Sequence, residues 1–261
     1  MRRAQLRGML TFIWIMILWE VAARYVIRDE RIIAPFSKIL ASLIGLFVSG
    51  EIWKHLSVSG SEFGLGFFLA AIFGVTVGFL MGTVRSIREC LDPWVTALYS
   101  APLVALAPFY IMFFGVGIAS KVALVFTVAF FPVTVNTFAG VYSIDPGMIE
   151  VARSFNASRF QILLKVLLPF SLSYIVTGLR LGVGRGLTGV VVGEFFFANA
   201  GLGFLVALAG QTFNTPVLFA GVFIFAICGV AVTEGLKRLE RKLAPWRRFD
   251  GESRERVAGR P

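Results

Sequence analysis

Charge is what this sequence is short of: Asp, Glu, Lys and Arg make up 15% of its 261 residues, against roughly 25% in a soluble globular domain. Cysteine and histidine are scarcer still, with two of the former and one of the latter. Cys90 falls on the cytoplasmic side of a predicted span and Cys228 inside the last one, so a stabilising disulfide is not expected and both read as packing residues. His55 has no cysteine or second histidine near it in sequence, which leaves a zinc site without support. No Gly-Lys dipeptide occurs anywhere, so there is no G-x-x-x-x-G-K-[ST] loop to cradle nucleotide phosphates, and no cofactor site is expected on the chain. A membrane-embedded enzyme would need nucleophile, base or metal ligands clustered near an interface, whereas the carboxylates here are scattered.

What is abundant is apolar sequence: 57% of the residues are hydrophobic and the mean hydropathy is +0.82. A helix needs roughly 17 to 25 apolar residues to cross a hydrocarbon core about 30 Å thick. Such runs lie near 9–26, 63–84, 94–116, 122–144, 169–194 and 216–233, predicting an all-α integral membrane protein of about six transmembrane helices. In the third run Pro102 and Pro108 are each expected to remove a backbone bond and bend the helix. Residues 32–63 carry an amphipathic pattern, Ile39, Leu40, Leu43, Ile44, Leu46 and Phe47, that suits a helix on the membrane surface or packed on other spans. Residues 195–214 contain the turn Asn199-Ala-Gly-Leu-Gly203 and read as a re-entrant or interfacial piece. Met-Arg-Arg before the first run resembles a signal peptide, but the further spans favour a retained first crossing.

The net charge of +10 is unevenly placed. Arg2, Arg3 and Arg7, then Arg85 and Arg88, then Arg153, Arg159 and Lys165, then Lys237, Arg238, Arg241, Lys242, Arg247 and Arg248 all fall on one side if both termini are cytoplasmic. On the other side, Arg24, Arg28, Arg31, Lys38 and Lys54 are partly offset by Asp29, Glu30, Glu51 and Glu62, and Lys121 stands alone. Basic residues after the last span alternate with Glu240, Asp250, Glu252 and Glu255, a poor pattern for binding nucleic acid. The chain divides into 1–62, a first span with its amphipathic connector; 63–236, a core holding a charged loop at 145–167; and 237–261, a basic tail.

That loop, with Glu150 to Pro169 reading EVARSFNASRFQILLKVLLP, is helix-prone and charged between membrane-grade runs. Asp145-Pro146 can start a helix, Glu150 suits its positive N-terminal end, and Asn156-Ala157 marks a break. Ile149, Ala152, Phe155, Ile162, Leu163 and Val166 offer apolar contacts, and the small Ala152 and Ala157 permit close approach of a partner surface. A connector lying on the bilayer is the alternative. In the fifth run Gly178, Gly182, Gly186, Gly189 and Gly193 share an arc of about 80° at ~100° per residue, a stripe for close helix packing. Arg180, Arg185 and Glu194 are its ionisable residues and therefore candidates for a translocation pathway, with helix-end neutralisation as the competing role. Arg185 lies about 20° from the edge of the stripe, with Arg180 and Glu194 on the far side.

The spacing of Glu150, Ala152, Asn156, Ala157, Val166, Leu168 and Pro169 resembles the cytoplasmic loop of binding-protein-dependent ABC importer permeases, with Val151 and Asn156 standing where Ala and Gly are usual. The likeness continues through Ala107-Pro108, Phe114-Gly-Val-Gly117 with Ser120-Lys121, Phe130-Phe-Pro132, Asn136-Thr137, Gly178-Leu-Arg180, and Val191-Val-Gly-Glu194 with Gly201-Leu-Gly203. Together these narrow it to the nitrate, sulfonate and taurine type, although Gly186-Leu187 replaces a frequent Ala-Trp. The resemblance implies a type I importer (MetI-like) core in a bacterial inner membrane. It also implies a second copy of the permease, ABC ATPase subunits that hold the ATP, and an extracytoplasmic substrate-binding protein. The seven loop residues would couple ATPase to permease, and the solute would be a sulfonate, nitrate or related anion. An ATP-independent secondary transporter would instead show paired inverted halves, and none are visible.

Overall fold

A computed structural model describes residues 2–243. The basic positions Arg247 and Arg248, like the acidic Asp250, Glu252 and Glu255, lie outside the described residues. The described chain is helical throughout, and its organising element is α6 (Ile118–Tyr142), 56% of whose most apolar window is buried inside the protein against 22% for α3 (Glu51–Thr83). Two glycine-lined helices pack against α6, sharing Val125 and Val133. From α3, Gly66 meets Val125, Gly74 meets Val133, Gly78 meets Thr134 and Thr137, and Gly82 meets Val141. From α9 (Leu168–Phe197), Gly178 meets Asn136, Gly182 meets Val133, Gly189 meets Val125 and Val128, and Gly193 meets Lys121. The rising register of the first set makes α3 parallel to α6; the falling register of the second makes α9 antiparallel. Small residues let backbones close to this distance where lipid supplies no hydrophobic drive for association.

Among the described residues, four helical rods are long and apolar enough to cross a membrane: α3, α6, the rod 159–196 and α11 (Thr215–Leu243). A bent pair counts as a fifth if taken as one span: α4 (Arg85–Ser100) and α5 (Ala107–Phe114), turning by 85° through Ala101-Pro102 and a short 3-10 turn at Leu103–Leu106. The bend belongs to Pro102. Pro108, expected to bend the helix as well, sits in the first turn of α5, where its missing N–H has no helical acceptor to lose. Met81, Val95, Leu103, Ala107, Leu124, Val128 and Phe131 bury the inner side of the bend against α3 and α6. α1 (Arg2–Val21) and a wider helical turn at Ala22–Ile27 run through the predicted first span.

The connector expected at 32–63 forms α2 (Phe36–Val48), whose Ile39 and Leu46 join Ala34, Ala220 and Ile224 in a cluster with α11 rather than lying on a surface. The predicted span starting at 63 begins a dozen residues early, at Glu51, which draws Glu62 into the helix. After α9, residues 198–201 turn the chain into α10 (Leu202–Gln211), followed by α11. Ten residues of helix reach about 15 Å, half of a hydrocarbon core, so α10 is a docked piece rather than a crossing. Cys90 is exposed on α4, not packed as expected.

Candidate functional site

The charged loop folds as two short helices with their ends tied. Asp145 caps α7 (Pro146–Ser154), its Oδ1 accepting from the Gly147 amide at 2.9 Å. Asn156 then takes a left-handed φ of 56°, so the Asn156 and Ala157 amides turn back onto the carbonyls of Arg153 and Ala152 at 2.8 and 3.1 Å. Asn tolerates that conformation better than most residues with a Cβ. Ser158 begins α8 (Arg159–Ile162) with a reciprocal cap, the Gln161 amide donating to Ser158 Oγ and the Ser158 amide to Gln161 Oε1. A wider helical turn, Leu163–Leu167, passes into α9 at Leu168-Pro169.

Packing divides the loop into two faces. Ile149, Ala152, Ala157, Ile162 and Val166 turn inward onto Ile144, Leu167 and Phe79 of α3. Glu150, Val151, Arg153, Asn156, Phe160 and Leu164 are exposed, and Phe155, at 83%, more than any of the other large hydrophobic side chains there. The apolar contacts expected to serve a partner are thus split: only Phe155 stands fully free, while Ile149, Ala152, Ile162 and Val166 anchor the loop to its own protein.

The three ionisable residues of α9 have different surroundings. Arg180 forms an ion pair with Glu240 of α11. Arg185 is exposed and, among the described residues, has no hydrogen-bond or ion-pair partner. It lines a cavity of about 100 Å³ with Tyr99, Ala101, Pro102, Leu103, Val128 and Thr188, at the break between α4 and α5. Glu194 is 1% exposed, deep inside the protomer. Its Oε1 accepts from Ser59 Oγ at 2.6 Å and its Oε2 from the Gly203 amide at 2.5 Å. Ser59 Oγ in turn accepts from the Leu202 amide at 2.7 Å, and His55 Nδ1 lies 3.0 Å from the Gly201 amide nitrogen.

Sequence reading placed Glu62 and Lys121 in loops, but both are inside helices, 2% and 7% exposed, with Lys121 Nζ 3.0 Å from Glu62 Oε1. The partnership joins positions 59 residues apart, so no local pattern could disclose it; the one available signal was the cost of charges so near the apolar runs.

Residues 70–245 match the family described as "Binding-protein-dependent transport system inner membrane component". The chain is 35% identical to the taurine transport system permease protein TauC of Escherichia coli, over 88% of its own length and 85% of that protein. Against the putative aliphatic sulfonates transport permease protein SsuC of Bacillus subtilis the identity is 34%, covering 94% and 89%. The formylaminopyrimidine transport permease protein ThiX of Halalkalibacterium halodurans is 31% identical, with 92% and 95% covered. Among solved structures, an inward-facing MetNI methionine ABC transporter superposes with a TM-score of 0.63 at 20% identity, covering 74% of this chain and 95% of that one. At that identity the likeness concerns the fold.

Proposed function

Because the chain belongs to the family of binding-protein-dependent transport system inner membrane components, its work is transport and not catalysis, and we propose that it moves a small sulfonate or related oxyanion inward as half of a dimeric, ATP-driven importer. The observation that carries the anionic solute is Arg185. An always-charged guanidinium at the centre of a span costs about 2.5 to 3.5 kcal/mol to insert, so it needs water or a polar partner. Among the described residues it has no such partner, and it borders the sharp break between α4 and α5. Arg185 therefore faces the space between two copies, where a solute anion passes. The resemblance to taurine and sulfonate permeases supports the same solute class. Arg180 is paired to Glu240 and Glu194 is enclosed, and in this reading both serve to hold helices together.

In this reading the exposed side of the 145–167 loop, Glu150, Val151, Phe155 and Phe160, docks into a groove of the ATPase. Ala152, Asn156, Ala157, Val166, Leu168 and Pro169 set the shape and attachment of that docking surface. A groove-binding helix fixed at both ends to α6 and α9 passes on a tilt of its partner, which is what coupling requires.

Arg185→Gln and Arg185→Lys in a reconstituted complex test the solute path, with assembly, binding-protein-stimulated ATP hydrolysis and uptake read separately. Loss of a charged hydrogen bond, about 1.5 to 3 kcal/mol, should lower uptake of a sulfonate on the order of tenfold or more in the Gln variant, with assembly and stimulation kept and Lys partly active. The likeness to a formylaminopyrimidine permease supports a second reading, an uncharged heterocycle as solute. Full uptake in Arg185→Gln would favour it and remove the anion site.

A further inference from the structure

Between α2 and α11 lies an open groove of about 850 Å³. Its walls are apolar: Phe36 meets Phe223 edge-on, and Leu40, Ile227 and Val230 are exposed along it. On α11 the lining runs from Phe223 to Arg238, and the first charge met is Glu234. From Phe223 to Glu234 the helix rises about 16 Å, against about 15 Å for the hydrocarbon of one leaflet. Helix register fixes which leaflet this is. Arg180 pairs with Glu240 and Leu187 meets Gly229, so α11 runs antiparallel to α9 and its charged end lies where α9 leaves the 145–167 loop.

Charge at that end is unbalanced. Among the described residues α11 carries two carboxylates there, and both are engaged. Glu234 lies 3.5 Å from Lys237 Nζ and 3.1 Å from a guanidinium nitrogen of Arg241, and Glu240 is held by Arg180. Arg238, exposed at the mouth of the groove, has no ion-pair or hydrogen-bond partner among the described residues. An apolar groove one leaflet deep, with a lone guanidinium at its mouth, is complementary to an amphiphile with an anionic head and an acyl tail. The first helix of a second copy suits it poorly. The sequence before Glu20 holds Arg2, Arg3 and Arg7 and no carboxylate, and that N-terminal end, expected on this same side, would set like charges against Arg238.

We propose that the groove binds an anionic phospholipid of the loop-side leaflet, with an acyl chain against Leu40, Ile227 and Val230 and the phosphate on Arg238. A guanidinium donates to phosphate oxygens through a two-bond fork, and a headgroup without an ammonium of its own leaves those oxygens free to accept. Gly235 leaves room for the head, since nothing lies within 4 Å of where its Cβ would stand. Lys242 is basic too but stands one turn beyond Arg238 and does not line the groove. The site rests on α11 crossing the membrane and is independent of which solute is carried.

The test places a benzophenone amino acid at Ile227, which is exposed in the groove, in the full-length permease. The protein is reconstituted in vesicles of equal parts phosphatidylglycerol and phosphatidylcholine, and mass spectrometry after irradiation reads what covers the position. Phosphatidylglycerol adducts should exceed phosphatidylcholine adducts on the order of fivefold, the scale of one Lys or Arg acting on an anionic lipid. Arg238→Gln, which alters an exposed side chain and should keep the parental unfolding midpoint, should bring that ratio to about one. Arg238→Lys should keep most of the preference, and Lys242→Gln should stay within about twofold of the parent. Gly235→Phe should lower the total lipid adduct several-fold by filling the mouth of the groove. A ratio near one in the parent, an equal loss of preference in Arg238→Gln and Lys242→Gln, or a cross-linked second copy as the main product would each overturn the proposal.

Discussion

At Gly78 the backbone of α3 lies so close to α6 that a Cβ would enter the Thr134 carbonyl oxygen and come within 2.8 Å of Thr137 Cβ and 3.1 Å of the Phe138 amide. Two of those atoms belong to the backbone, so no side-chain rotation relieves the clash. Gly64, on the same helix, has nothing within 4 Å of where its Cβ would stand. Gly78→Ala should therefore destabilise the permease by about 1 to 3 kcal/mol, the range for overpacking a close-packed site. Gly64→Ala should be neutral or slightly stabilising, because Ala is the better helix residue by roughly 0.5 to 1 kcal/mol. Thermal unfolding of the detergent-solubilised protein compares them directly, and equal midpoints for the two variants would show that α3 and α6 are not packed this tightly. The α9 stripe was legible because five glycines recur at helical spacing. The matching stripe on α3, Gly66, Ala70, Gly74, Gly78 and Gly82, obeys the same i, i+4 rule and was equally readable from sequence.

For the loop helices, the local chemistry was legible and the facing was not. Asp145-Pro146 starts α7 and Asn156 breaks it as the residue types dictate, because capping and left-handed turns depend on atoms a few positions apart. Which apolar residues turn inward depends on Phe79 and Leu167, and position 79 is too distant in sequence for periodicity to reveal. The two faces predict different phenotypes. Phe155→Ala removes an exposed aromatic side chain that nothing in the protomer uses, so it should leave thermal stability unchanged and weaken capture of the ATPase by roughly 2 kcal/mol, the scale of an aromatic anchor at an interface. Ala152→Asp places a carboxylate against the inward cluster and should lower stability and capture together. Asn156→Gly should be tolerated in both assays, since glycine adopts the left-handed angle without a Cβ. Co-purification with the ATPase, beside thermal unfolding of the permease alone, separates the cases; full capture by Phe155→Ala would move the docking surface elsewhere.

Over the whole molecule, the helix directions sort the charges without reference to any membrane. The C-terminal ends of α3 and α6 lie together at Gly82 and Val141, Arg88 at the start of α4 stacks over Tyr142 at 4.9 Å, and Arg180 pairs with Glu240 near the end of α11. Arg85, Arg153, Arg159, Lys165, Lys237, Arg238, Arg241 and Lys242 are thereby gathered at the loop end. The opposite end holds the enclosed Glu62, Lys121 and Glu194 and the start of α11, where Thr215 Oγ1 donates to the Arg31 carbonyl at 2.7 Å. An excess of Lys and Arg near span ends marks the cytoplasmic side. We therefore expect the loop in the cytoplasm, with α1, α3, the bent pair, α6, α9 and α11 as six crossings and both termini on the loop side. In a cysteine-free background in intact cells, a membrane-impermeant thiol reagent should label Asn214→Cys, between α10 and α11, and reach Arg153→Cys only after permeabilisation. The opposite pattern would invert the orientation, and labelling of both in intact cells would mean that one of these rods does not span. Because the bent pair turns by 85°, it is the rod on which the even count depends.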